Sequence, residues 1–248
     1  RHLMADLRDV CAMGVMAKAP RTGRAKTRLC PPLQPAQAAS LSAAFLRDIT
    51  ENIALASRAA SICGWVAYAP IGEEHLFDGL LADGTGLVPA DGSPPMPRHV
   101  QGFGRCLLHA AQALFATGVG AVCLVNSDSP TLPTERLLEA AVALRAPGER
   151  IVLGPAEDGG YYLLGMKHPH PHLFADIAWS TSTVAAATRA RAAALGIEVV
   201  ALPTWYDVDD ATSLHRLAAG ADGGYAAPAT TAWLERNRSR WNLSTAAQ

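Results

Sequence analysis

Cys11-Ala-Met-Gly-Val-Met-Ala17 is a short, wholly apolar run, and Lys18-Ala-Pro-Arg-Thr-Gly-Arg-Ala-Lys-Thr-Arg28 follows it without a break. An apolar heptapeptide that ends in a Pro/Gly/Arg segment reads as a buried strand leaving a sheet into a loop. The loop holds five of the chain's 21 basic residues in 11 positions, where composition alone would place about one, and no acid dilutes them. A glycine at position 23 lets backbone amides and cations converge on phosphate oxygens. Most charge runs are solvated faces; here the position after the first strand and the frame of Pro20 and Gly23 favour phosphate binding. Gly23-Arg-Ala-Lys26-Thr27 has part of a P-loop, but the earlier glycine of that motif would fall at Lys18, which argues against a Walker-type NTPase. Neither Gly84-Thr-Gly86 nor Gly118-Val-Gly120 completes a dinucleotide fingerprint, so no NAD site is expected.

Outward from this stretch, strands and helices alternate. Pro35 suits a first helical turn, and Leu41, Phe45, Ile49 and Ile53 mark one buried face of a helix over about 36–60. Strands are expected at Trp65–Ala69, Ala121–Val125, Ile151–Leu153, Tyr161–Met166 and Ile197–Leu202, and Ala121–Val125 is apolar throughout, as strands buried on both faces are. Helices are expected over about 104–116 and from Pro133 to about 145, and a third, capped by Ser180 or Thr181, runs to Gly196. Pro70–Gln101 reads as loop. This order predicts a three-layer α/β/α fold with a mainly parallel sheet and a ligand crevice beyond the carboxyl ends of the strands. A single domain is expected over 11–220, with 1–10 as an N-terminal extension or cloning remnant and 221–248 as a C-terminal tail with some helical content.

Three acidic segments fall beyond strand ends. Asn126-Ser-Asp128-Ser-Pro130 presents a carboxylate toward the crevice, or else a turn or helix cap. Glu157-Asp158-Gly159-Gly160-Tyr161 is a glycine turn with two acids, and also a usual hairpin signal. Asp207-Val-Asp209-Asp210 places three acids in four residues, which suits a cation or, alternatively, a helix N-terminus near Ala211. Cations in one loop and carboxylates in three others suit Mg²⁺, or Mn²⁺, with a polyphosphate. His168-Pro-His-Pro-His172 reads as an exposed polar turn, although alternating histidines can bind transition metals.

The chain has 248 residues, of which 48 are alanine, and a mean hydropathy of +0.12. The longest stretch free of Asp, Glu, Lys and Arg, Cys106–Ser127, is broken by His109, Gln112, Thr117, Asn126 and Gly118-Val-Gly120, which argues against a membrane span. A net charge of −1 and no basic-aromatic series argue against nucleic acid and anionic membranes as partners. Five widely spaced cysteines and no visible export signal fit reduced thiols in a cytoplasm.

The ordered motifs Met16-Ala-Lys-Ala-Pro20, Gly23-Arg-Ala-Lys-Thr-Arg-Leu29, Ser127-Asp128-Ser-Pro130, Gly154-Pro-Ala-Glu-Asp-Gly-Gly-Tyr-Tyr-Leu163, Trp179-Ser-Thr181 and Asp207-Val-Asp209 resemble the DUF2064 group over about residues 12–216. That group is similar to phospholactate guanylyltransferase and molybdenum-cofactor guanylyltransferase, and some members carry the name arsenosugar-biosynthesis glycosyltransferase. The resemblance implies a nucleotide-diphospho-sugar transferase fold of GT-A type. It implies Lys26 and Arg28 on the triphosphate, helped by Lys18 and Arg24, with Ala17, Pro20, Gly23 and Ser127 in the nucleotide subsite. It places the divalent ion on Asp128 and Asp209, with Lys26, Arg28 and Asp128 as the catalytic set. The acceptor pocket falls to Glu157, Asp158, Gly159, Gly160, Tyr161, Trp179, Ser180 and Thr181. This chain departs from the pattern at Phe103-Gly-Arg-Cys-Leu107, where a glutamate-arginine pair is usual, at Asp209-Asp-Ala-Thr-Ser213, and at Asn126, where glycine is usual.

The leading expectation is a Mg²⁺-dependent nucleotidyltransferase that joins an NTP to a small phosphate- or phosphonate-bearing acceptor and releases pyrophosphate. A glycosyltransferase using a UDP- or GDP-sugar, lacking Asp-x-Asp at Ser127-Asp128-Ser129, is the alternative, and a non-catalytic nucleotide-sugar-binding protein the third. The expected partners are the nucleotide and a small acceptor, with a homodimer as the oligomer considered.

Overall fold

The computed structural model describes residues 6–241, and side chains as far as Ser239. The strands and helices follow in the order β1 (Cys11–Lys18), α1 (Pro35–Ala56), β2 (Ile62–Ala69), β3 (Gly86–Pro89), α2 (Phe103–Phe115), β4 (Ala121–Val125), α3 (Thr134–Arg145), β5 (Arg150–Pro155), β6 (Tyr161–Met166), α4 (Val184–Ala194), β7 (Glu198–Ala201), α5 (Ala211–Ala219) and α6 (Pro228–Trp241). The seven strands form one sheet in the order β3-β2-β1-β4-β6-β5-β7. Strand β6 is antiparallel to both its neighbours and the others pair in parallel. The fold is the mainly parallel three-layer α/β/α arrangement.

Side-chain alternation along β1 explains the layers. Cys11, Met13 and Val15 point to a core shared with α1, α3, α5 and α6, while Ala12 and the half-buried Met16 point to a core shared with α2 and α4. Gly14 faces α2, whose Leu114 lies so near that a Cβ would sit 2.7 Å from its Cδ1. The four-residue spacing expected for α1 is the spacing that buries Leu41, Phe45, Ile49 and Ile53. The cysteines are free thiols, and Cys11 and Cys123 bring their sulfurs to 3.7 Å across β1 and β4.

Several expected boundaries are corrected. β2 begins at Ile62 rather than Trp65, and α1 stops at Ala56. The loop expected over Pro70–Gln101 contains β3, an edge strand that pairs only with β2 among the described strands. Four residues with glycine first and proline last carry little strand signal, yet an edge position tolerates Pro89. α4 starts at Val184 with Thr183 before it, so Ser180 and Thr181 are not its cap. After Tyr225 the chain forms α6, which buries Trp233 against α1, with its Nε1 donating to Ser40 Oγ at 2.8 Å. Buried Asp48 of α1 accepts from the Ala229 and Thr230 amides at 3.0 and 2.7 Å, capping the start of α6. No helix among the described residues is long and apolar enough to cross a membrane.

Candidate functional site

The carboxyl ends of β1 and β4 and the turn between β5 and β6 open onto one cleft of about 1030 Å³, at the upper end of the size usual for small-molecule sites. Lys18, Arg24, Lys26 and Arg28 all line it, as do Ala17 and Ser127. Pro20 and Gly23 shape the loop without lining the cleft. Lys26 is the best-fixed of these cations. Its backbone is left-handed, with φ 48°, an uncommon state for a residue with a side chain. Its Nζ donates to Asp128 Oδ1 and, at 3.2 Å, to the Val208 carbonyl, and it stands 4.8 Å above the Phe45 ring. Only 8% of the Lys26 side chain is exposed, so this charge is held in place rather than solvated.

The loop after β4 and the segment after β7 are tied together. The Val208 amide donates to the Asp128 carbonyl at 2.8 Å, and Ser129 Oγ donates to the Tyr206 carbonyl at 3.0 Å. Asp207 Oδ1 accepts from Asn126 Nδ2 at 2.7 Å and lies 2.9 Å from Ser129 Oγ. A glycine at position 126 could not make that bond. Asp158, Asp207 and Asp209 each bring a carboxylate oxygen within 4.8 Å of the other two. Burial, with Asp128, Asp158 and Asp209 nearby, pushes Asp207 up to about 7. Burial and then Asp128 push Asp209 up to about 6, against the opposing pull of Lys26 and Arg28. Crowded, partly buried carboxylates of this kind fit a hard divalent cation.

The acids of the expected pair, Asp128 and Asp209, both line the cleft. Asp128 engages Lys26, while Asp158, expected at the acceptor, joins Asp207 and Asp209. Asp210 does neither: it caps α5, accepting from the Ser213 amide at 2.8 Å. The acidic run Asp207-Val-Asp209-Asp210 signals Asp207, but nothing local in it tells which of the three acids faces inward.

Glycine dictates the turn after β5. Gly159 has φ +91°, and a Cβ on it would lie 2.0 Å from the Ser182 carbonyl oxygen. Its own carbonyl accepts from the Ala185 amide at 2.9 Å, and Asp158 Oδ1 accepts from the Gly160 amide at 2.9 Å. This packing places Asp158, Gly160 and Tyr161 on the cleft wall, with Gly159 behind them. Glu157 also lines the cleft but is bound to Arg216 at 2.6 Å. Arg216, which no local motif marks, also pairs with Asp222 at 3.0 Å and stacks 3.9 Å over the Tyr206 ring. Trp179, Ser180 and Thr181 also line the cleft, next to this turn. The Trp179 Nε1 donates to the Gln101 carbonyl at 3.1 Å, and its ring meets Phe103 edge-on at 5.7 Å.

No curated protein sequence matches the chain. Among solved structures, it is similar to a protein of Desulfovibrio desulfuricans G20 provisionally assigned as a nucleotide-diphospho-sugar transferase. The identity is 25%, the TM-score 0.77, and the match covers 94% of this chain and 97% of that one. The CMP:2-keto-3-deoxy-manno-octonic acid synthetase structure complexed with CTP shares the fold at 12% identity and a TM-score of 0.51, covering 84% of this chain and 96% of that one. The fold is thus that of the nucleotide-diphospho-sugar transferases. Residues 53–181, a little over half of the chain, match the family described as uncharacterised proteins conserved in bacteria, and the chain belongs to that family, DUF2064.

Proposed function

We propose that the protein is a Mg²⁺-dependent nucleotidyltransferase. The observation that carries this reading is that one cleft is lined by four cations, Lys18, Arg24, Lys26 and Arg28, and by a group of three acids, Asp158, Asp207 and Asp209. Several cations in one loop suit a triphosphate and a pyrophosphate leaving group better than a sugar diphosphate. Asp158, Asp207 and Asp209 would hold the ion, with Asp128 beside them. The bound ion supplies neutralisation of phosphate charge. In the reaction an acceptor phosphate or phosphonate oxygen forms a bond to the α-phosphorus of the NTP. The bond from that phosphorus to the β-bridging oxygen breaks, and pyrophosphate leaves with the electron pair. Lys26 and Arg28 stabilise the charge that accumulates on the leaving group, and Glu157–Tyr161 with Trp179–Thr181 orient the acceptor. Phosphoryl chemistry of this kind relies on positioning and charge, so no covalent nucleophile is required of the chain.

A second reading, transfer of a sugar from a nucleotide sugar, is favoured by the likeness to the Desulfovibrio protein. A thermal-shift panel of NTPs and nucleotide sugars, each with and without Mg²⁺, separates the two. Nucleotidyl transfer predicts metal-dependent stabilisation by one triphosphate, on the order of 2.7 kcal/mol at a hundredfold excess over Kd. Stabilisation by a UDP- or GDP-sugar alone would replace it with glycosyl transfer.

A further inference from the structure

Glu149, His168 and His170 form a second group of metal-ligating side chains, at the end of the sheet opposite the cleft. Strand direction fixes that placement. β4 ends at the cleft, β6 runs against it, and β5 runs against β6, so β5 begins and β6 ends on the far edge. Six residues at about 3.3 Å each place the two edges of this hairpin on the order of 15–20 Å apart.

His168 Nδ1 lies 2.7 Å from Glu149 Oε2, and His170 Nε2 lies 3.1 Å from Glu149 Oε1. One ligand atom from each residue lies within 4.8 Å of the other two. The backbone holds this geometry. Lys167 Nζ donates to the Ala146 and Gly148 carbonyls, both at 2.9 Å, pinning the segment before β5 to the segment after β6. The His170 amide donates to the His168 carbonyl at 2.9 Å, and Pro169 and Pro171 fix φ on either side.

Two imidazoles and one carboxylate are ligands for Zn²⁺ and related first-row ions, whereas Mg²⁺ prefers oxygen. Tetrahedral bonds of about 2.0–2.1 Å space the ligand atoms roughly 3.3–3.4 Å apart, which small rotations of these three side chains reach. His168 is 67% exposed and His170 24%, so the open side leaves a position for water. We propose that Glu149, His168 and His170 form a Zn²⁺-class transition-metal site, separate from the cleft.

Calorimetric titration of the full chain with Zn²⁺, in a large excess of Mg²⁺, tests this. The wild type and an Asp158→Asn/Asp209→Asn variant are both expected to show the same binding step. His168→Ala/His170→Ala should lose it and Glu149→Gln should weaken it, with circular dichroism unchanged in both. Imidazole ¹⁵N resonances of His168 and His170 should shift as Zn²⁺ is added. An unchanged isotherm in the double-histidine variant overturns the proposal, as does the absence of any step in the wild type. Loss of the step in the cleft variant with retention in the histidine variant also overturns it. In each of these cases the group is an ion-pair network only.

Discussion

Lys26 is the side chain on which the cleft turns. Removing a preorganised cation from developing negative charge costs on the order of 10²–10³ in rate. Lys26→Ala is accordingly expected to lower NTP turnover by about that factor, as pyrophosphate release would show, measured at a temperature where circular dichroism shows the variant folded. The acids make a separate prediction. Unfolded, the Asp207 and Asp209 carboxyls ionise near 3.8; folded, they hold their protons to about 7 and about 6. Between those limits the native chain binds more protons than the unfolded one, so metal-free stability falls as pH rises through that window. Asp207→Asn should flatten the fall in chemical denaturation measured across pH, and an unchanged slope would contradict the assignment. At this scale the sequence showed the cations clearly, because a basic loop after an apolar strand is a local signal. It did not show that Asp207 and Asp158 meet, since their contact depends on two loops 49 positions apart in the chain.

Elements were legible where their pattern was strong and local. The runs of β1, β4 and β6 stand out because they are apolar and bounded by loop residues, and α1 because its four-residue spacing is unbroken. β3 was not, because Trp65 covers Gly86 from the neighbouring strand and no residue of Gly86–Pro89 announces that contact. The start of α4 was misplaced for a related reason: Gly159 approaches Ser182, so tertiary packing sets where the helix begins. Gly159→Ala should therefore destabilise by more than about 1 kcal/mol and disturb the proposed acceptor wall. Gly196→Ala, at φ +67° with nothing within 4 Å, should cost only the backbone term of about 1–2 kcal/mol. Trp233→Ala should cost about 3–5 kcal/mol by emptying the α1–α6 interface, with kcat unchanged at temperatures where the variant is folded. Urea titrations of the three variants rank these effects.

Over the whole molecule, one sheet carries two candidate ion sites at opposite ends of the β5–β6 hairpin, one rich in oxygen and one in nitrogen. That difference in chemistry should let the same chain sort Mg²⁺ from Zn²⁺ without either displacing the other. The pairing of Lys26 with Asp128 gives the cleft a further property. With no ligand bound, each charge satisfies the other, so a lone anion must separate Lys26 from its counter-charge, and a lone cation drawing on Asp128 must do the same from the other side. Under the proposed function, a nucleotide arriving with its metal would let both partners be exchanged at once. Affinity for each should rise in the presence of the other by the same factor, as reciprocity between two ligands requires. In Asp128→Asn, where Lys26 loses the carboxylate that it bonds, that mutual enhancement should shrink while binding of the metal-free nucleotide strengthens: under the proposed function the ion pair would work as a lock that only the neutralised pair of ligands opens.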